Sequence, residues 1–258
     1  MPYLITQIRV QITQIKTKEV QDAKMKPEFS LVIPFYNEEE NAERVCLEIV
    51  NEFDSRELDY ELIAVNNGCA DRTPGILRRL SEKHSRIKVV DVEKNQGYGF
   101  GVIQGFQHAR GGYVGYSTGD GQISASDVFG VFSRMKEQGL DYAQGKRVRK
   151  DTFLRRLNTK VFNFVFHACF PANVYDIGSN PKIMKRGIFE RISPVSKDWF
   201  IDGEIILKSY LLKGRMDEFP VAFRKREKGR SHIKLSSVFE MLKNIARWKL
   251  RTLFTKVV

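Results

Sequence analysis

Apolar residues recur along this chain in two alternating rhythms. Short apolar runs begin "FSLVIPFYN" at Phe29, "YELIAVNNG" at Tyr60, "RIKVVDVEKN" at Arg86, "GYVGYSTGD" at Gly112 and "DYAQGKRV" at Asp141. Bounded by Gly, Asn and Asp, they read as buried strands. Between them the apolar positions return at helical spacing. "EEENAERVCLEIVNEF" carries acids in its first turn, where they suit the helix dipole, and a second helix starts at Thr73 with Pro74 in its first turn. Two more span about Gly97–Arg110 and Ser124–Gln138. This alternation predicts an α/β fold: a mostly parallel sheet with helices on both faces.

Such sheets bind ligands outside the carboxyl ends of their strands. The segments expected there are "PFYNEEE", "NNGCADRT", "KNQGYGFG" and "TGDGQ". Polar side chains, glycines and an acid therefore gather on one edge. In the last segment Asp120 stands between two glycines, with Gln122 two residues on. A plain turn explains the glycines; a ligand also explains the acid and the amide.

Composition narrows the choices. The 258 residues can bury one α/β core, and 42% hydrophobic content excludes a disordered chain. A net charge of +12 asks for an acidic partner: nucleic acid, anionic lipid or a phosphorylated substrate. Nucleic acid is not expected, because no helix-turn-helix, zinc or RNP-like pattern accompanies the charge. Cys46, Cys69 and Cys169 form neither a disulfide framework nor a metal pattern, and read as reduced thiols in a cytosolic setting. The start has no signal-peptide pattern, and no apolar run approaches the ~18 residues that span a bilayer. The expectation is a cytoplasmic protein that at most lies on a membrane. Residues 1–27 read as a flexible extension, 28–232 as the folded domain and 233–258 as a C-terminal amphipathic helix.

In that last segment Leu235, Val238, Phe239, Leu242, Ile245, Ala246, Leu250 and Leu253 share one helical face. Lys243, Arg247 and Arg251 lie opposite, with Trp248 near the border. The pattern suits a helix on anionic lipid, or one packed on the protein's own core. Both readings stay open at this level.

The four loops, in this order, resemble the nucleotide-sugar-binding half of family 2 glycosyltransferases of the GT-A fold, in particular dolichol- and polyprenyl-phosphate mannose or glucose synthases. The likeness covers about residues 29–232 and extends to "GKR" at 145–147, "YDIGSNPKIMKR" at 175–186, "FIDGE" at 200–204 and "RKREKGRSH" at 224–232. It implies nucleotide-sugar contacts at Pro34, Tyr36, Glu38, Asn66, Asp71, Asn95, Gly97 and Asp120. It also implies Mg²⁺ or Mn²⁺ held by Asp120 and Gln122, and phosphate or acceptor contacts at Arg147, Arg224, Ser231 and His232. The catalytic candidates are Asp120, Arg147 and Asp202, with Asp176 either orienting Arg147 or tying down its own loop. The implied reaction moves a hexose from a GDP-mannose- or UDP-glucose-type donor to a polyprenyl or dolichyl phosphate, with inversion. A hydroxyl acceptor would instead need Asp202 as a base.

The chain departs from the family pattern. Asn66 and Asn67 stand for two carboxylates, Cys69 for Ser, Thr118 for the first Asp of the metal motif, Asn180 for Gly and His232 for Lys. These substitutions leave base choice and metal affinity open. They also keep in play a degenerate protein that binds nucleotide sugar without turnover. A basic nucleic-acid-binding domain rests on the charge alone.

Overall fold

The computed structural model describes residues 26–148, 163–224 and 235–254, the last with side chains at 243–252. Seven strands form one sheet: β1 (Phe29–Phe35), β2 (Tyr60–Asn67), β3 (Ile87–Val92), β4 (Tyr113–Tyr116), β5 (Tyr142–Val148), β6 (Lys182–Lys185) and β7 (Met216–Ala222). The spatial order is β3-β2-β1-β4-β6-β5-β7. All strands run parallel except β6, which is antiparallel to both β4 and β5. The helices are α1 (Ala42–Ser55), α2 (Thr73–Lys83), α3 (Tyr98–His108), α4 (Ala125–Glu137), α5 (Arg186–Ile192), α6 (Ile201–Leu211) and α7 (Leu235–Phe254). Residues 163–169 are also helical.

The sheet divides the core in two. Helices α1, α2 and α4 pack through Ile49, Phe53, Leu77 and Phe132 against Phe29, Leu31 and Leu62. On the other face α3, α6 and α7 pack through Phe106, Ile205 and Trp248 with Val32, Val65 and Tyr116. Strands β1 and β2 are buried at every position, the expected state of central parallel strands covered on both faces. The five strands and four helices read from the periodicity of the first 148 residues are all present. Strand β6 and edge strand β7 lie in a part of the chain where that alternation is lost.

The topology decides where a ligand can sit. The chain moves from β1 outward to β2 and β3, then returns to the other side of β1 as β4. Loops leaving β1 and β4 therefore diverge and open a crevice between them. Gly119, after β4, lies against the Phe35 ring at the end of β1. Because β6 runs backwards, its first residues also reach this edge, where Lys182 is in register with Tyr116 and Gln144.

Helix α7 corrects the sequence reading of its faces. Its seam against the protein is Asn244, Ile245 and Trp248, all buried, while Ala246 and Leu250 of the apolar stripe are exposed. Among the described side chains of this helix the seam thus keeps Ile245 of the stripe and is completed by Asn244 and by Trp248 at its border. Trp248 decides this: it stacks on Phe200 with ring centroids 6.3 Å apart and gathers Lys208 and Arg251 over its ring.

Candidate active site

Four loops meet at the crevice, and their own side chains fasten them together. Asn37 has φ of 54°. Its amide N–H donates to the Cys69 sulfur at 3.2 Å, and its side-chain carbonyl accepts the Ala70 N–H at 2.8 Å. The Cys69 thiol donates onward to the Phe35 carbonyl, and burial raises its pKa above the ordinary thiol value. All three cysteines are free thiols. Asp71 accepts N–H bonds from Glu39 and Thr73, each at 3.0 Å, so it ties the first loop to the second and caps α2. The Glu38 N–H donates to the Thr73 hydroxyl, while its carboxylate accepts from Asn41. Hydrogen bonding from Arg72 holds the Glu39 carboxyl below its usual range.

The sequence candidates thus fall into two groups. Asn66 lies inside the framework, donating to Asp91 at 2.7 Å and accepting the Cys69 N–H at 3.0 Å. Asn95 accepts the Gly97 N–H and closes a short turn into α3. Gly97 needs its missing side chain: φ is 117°, and a Cβ would overlap the Lys197 carbonyl. Pro34 is buried within β1, whereas Tyr36 is exposed.

Asp120 belongs to the second group. Its Oδ1 accepts the Thr118 hydroxyl at 2.9 Å and the Gln122 N–H at 3.1 Å. No hydrogen bond from a described residue reaches Oδ2. Gln122 donates its amide to the Arg224 carbonyl at 2.9 Å and accepts the Arg224 N–H on its own backbone at 2.9 Å, pinning the segment after β7 to this loop. Among the described residues no three His, Cys, Asp or Glu side chains form a metal cluster. One free carboxylate oxygen on a glycine turn still fits Mg²⁺ or Mn²⁺, since such ions accept one or two protein carboxylates and complete their shell with substrate phosphate and water.

Arg147, at the end of β5, is held by Asp176. Its Nε donates to Oδ2 at 2.9 Å, its backbone N–H at 3.1 Å, and Nη2 pairs with Oδ1. Asp176 is thus the ion-pair partner of Arg147, bonded to both its guanidinium and its backbone N–H. Arg224 turns its guanidinium to Glu48 on α1 at 3.0 Å. Ser231 and His232 lie outside the described residues.

Beneath the crevice lies a polar group that the sequence reading only touched. Asp202, on the first turn of α6, is buried. Its Oδ1 accepts the Tyr116 hydroxyl at 2.6 Å and lies 3.3 Å from the Lys182 ammonium. Lys182 is itself 0% exposed and also donates to the Ser179 carbonyl. Burial pushes its pKa below the ordinary lysine value, against the opposing pull of Asp202. Tyr98 is half-buried beside the Asn180 side chain, with its hydroxyl buried and without a well-formed hydrogen bond, and its ring stacks on Trp199 at 4.6 Å. Burial raises its pKa well above the phenol value, and the charges of Asp202 and Asp120 act in the same direction. Two carboxylates, from α6 and from the loop after β4, therefore act electrostatically on one phenol. Tyr98, Tyr116 and Lys182 went unmarked because each looks like an ordinary core or surface residue. The available signal was period two in β6, which puts Lys182 on the same face as buried Met184.

A doubly wound sheet, a switch-point crevice and a glycine-flanked acid at the end of the fourth strand define an α/β domain of the GT-A type. The glycosyl transferase family 2 model matches residues 30–193. The chain belongs to that family. It is 29% identical over 230 residues to the dolichol-phosphate mannosyltransferase of Pyrococcus furiosus, a match covering 84% of this chain and 62% of that relative. It is 24% identical over 237 residues to the dodecaprenyl-phosphate galacturonate synthase of Rhizobium johnstonii, covering 90% of this chain and 70% of that one. Among solved structures, Mycobacterium tuberculosis glucosyl-3-phosphoglycerate synthase, in complex with Mn²⁺, UDP and glucosyl-3-phosphoglycerate, superposes with a TM-score of 0.66. That likeness covers 89% of this chain and 81% of the other at 16% identity, which speaks for the fold. The chain thus spans about three fifths of the length of the first of these relatives.

Proposed function

We propose that this protein transfers a hexose from a nucleoside diphosphate sugar to a lipid-linked phosphate at a membrane surface. The observation that carries the reading is Asp120, held on a glycine turn at the switch-point edge with one carboxylate oxygen bonded to Thr118 and Gln122 and the other left for a ligand. The lipid-phosphate acceptor is supported by the names of the two relatives, both of which describe sugar transfer to a polyprenyl or dolichyl phosphate.

In this reading the donor diphosphate lies over the glycine turn at 119–121, where the backbone can approach closely. Asp120 would hold the divalent ion through its free oxygen. The ion, when bound, supplies the Lewis acid that offsets charge on the departing diphosphate. Arg147 directs its remaining guanidinium nitrogen toward acceptor or donor phosphate, its plane set by Asp176. Asp202 is fixed through one oxygen by Tyr116 and Lys182, which leaves the other for the acceptor. A phosphate acceptor is already ionised near neutral pH and needs no strong base. A hydroxyl acceptor is the second reading, favoured by that same unengaged oxygen, and there Asp202 would take the proton.

Helix α7 supports the membrane placement. Its Ala246 and Leu250 face away from the core, and Leu250 is 57% exposed. No described helix is long and apolar enough to cross a bilayer.

Thermal-shift screening against GDP-, UDP-, CDP- and dTDP-sugars, with and without Mn²⁺, tests the donor half. A donor that binds the native state raises its melting temperature. The expected result is a Mn²⁺-dependent shift with one nucleotide, lost in Asp120→Asn. A shift of equal size in that variant would refute the metal assignment. Transfer assays with a polyprenyl phosphate and a free saccharide then decide the acceptor. A bell-shaped pH profile on the saccharide alone would favour the second reading.

A further inference from the structure

Away from the crevice, a cleft of about 230 Å³ opens between α7 and the loop preceding α6. Its walls carry Ser196, Lys197, Arg247 and Arg251, with Trp248 and Asp198 between them. Many arginines on other helices are ion-paired, among them Arg44, Arg78 and Arg79. Here no ion pair with a described carboxylate engages Lys197, Arg247 or Arg251. Their contacts are neutral: Lys197 with the Gln96 amide at 3.4 Å, Arg247 with the Asn244 amide at 3.5 Å, and Arg251 over the Trp248 ring. Asp198, in the same wall, offsets one of the three charges but makes no ion pair with any of them. Its Oδ1 accepts the Phe200 N–H at 2.8 Å and its Oδ2 the Asn244 amide at 2.6 Å.

We infer that this cleft is a phosphate-binding site, separate from the donor crevice. Three cations without an ion-pair partner line a concave wall against the single carboxylate of Asp198, and two are arginines, whose fork matches phosphate oxygens bidentately. The volume is below the roughly 300–1,000 Å³ of pockets that enclose drug-sized ligands, so it admits a phosphate group and not a nucleotide sugar. The wall is firmly held. Glu204, fully buried, accepts N–H bonds from Val195 and Ser196, and Trp248 and Asn244 seat α7. Arg247 and Arg251 flank the seam on the side next to exposed Leu250. A phosphate there can therefore belong to a lipid headgroup, with its chains along the outward stripe of α7, or to a free phosphorylated metabolite. The site does not depend on the donor chemistry. The Lys197 carbonyl, however, accepts the Phe100 N–H of α3, so both sites share this loop.

The test uses the full chain and the double variant Arg247→Gln/Arg251→Gln, which keeps the side-chain stems in place. Lys83→Ala/Arg134→Ala, two exposed residues on the opposite face of the sheet, controls for the same loss of charge. One arm measures sedimentation with phosphatidylcholine vesicles, with and without phosphatidylglycerol. The other measures melting temperature in inorganic phosphate or glycerol 3-phosphate against chloride at equal ionic strength. At ~1 kcal/mol per cation near an anionic surface, the Gln variant should bind anionic vesicles about thirty-fold more weakly, with the control far less affected. That result assigns a headgroup phosphate. A phosphate-dependent rise in melting temperature, lost in the Gln variant without any vesicle effect, assigns a free phosphate ligand. If the Gln variant melts early on its own, Lys197→Gln replaces it in both arms. Unchanged behaviour in both arms, or equal losses in the control, overturns the proposal.

Discussion

Replacing Asp202 by asparagine removes one charge and almost no volume, and its effect can be worked out from the contacts around it. The amide oxygen of the new side chain can still accept the Tyr116 hydroxyl, which now bonds Oδ1 at 2.6 Å. What disappears is the counter-charge of Lys182, 3.3 Å away and 0% exposed. Breaking one side of a buried pair costs about 3–5 kcal/mol, because the remaining ion is left desolvated. In a domain of this size each kcal/mol moves the melting temperature by ~2–4 °C, so Asp202→Asn should melt about 6–20 °C lower. The sign of the pH dependence follows. Burial already lowers the Lys182 pKa from 10.5, and losing Asp202 removes an opposing influence. The unfolded chain then binds more protons than the native one between the depressed value and 10.5, so the variant's stability deficit shrinks as pH rises through that window. Adding Lys182→Met removes the stranded charge and should restore most of the stability, while transfer activity stays low if the carboxylate contacts substrate. Calorimetry of the four proteins of this cycle at neutral and alkaline pH is the assay. A single variant that melts within about 2 °C of the parent, or a double variant less stable than Asp202→Asn, would show that no buried ion pair exists here.

Three further outcomes follow from the structure. Gly121→Ala should destabilise the protein by about 1–2 kcal/mol in denaturant titrations, since φ is 71° and a Cβ would displace the Arg44 guanidinium. Trp248→Ala should cost about 3–5 kcal/mol, because the indole is 5% exposed and anchors α7; a smaller loss would mean that α7 is not held by its seam. Acid stability should depend on Glu61. Burial alone would raise its pKa, but bonds from Lys88, Ser30 and the Arg110 N–H outweigh it and hold the carboxyl below 4.5. That stabilisation is complete above 4.5 and lost as pH falls through the depressed value, so Glu61→Gln should flatten the melting temperature over that acidic range.

The α/β class, the first five strands, the four helices between them and the four loops at their carboxyl ends were all legible along the chain. Those features are local. Apolar periodicity and turn residues act within a few residues, and β1 to β5 follow one another with helices between. Asp120 stood out in the same way, since its flanking glycines mark it without any knowledge of neighbours. The other polar residues took their roles from long-range packing. Asp71 and Asn66 carry the same functional groups as ligand contacts, yet their partners are backbone and side-chain groups of adjoining loops. Lys182 reads as a surface lysine until the reversal of β6 sets it beside Tyr116 and under Asp202. The face of α7 was likewise not a matter of its own periodicity. Among its described side chains, Trp248 and Asn244 find Phe200 and Asp198, and that match of shape and hydrogen bonding sets which of them are buried. One cause underlies all three cases. A helix or strand signal is set by neighbours along the chain, whereas the role of a polar side chain is set by which distant group the topology brings within about 3 Å of it.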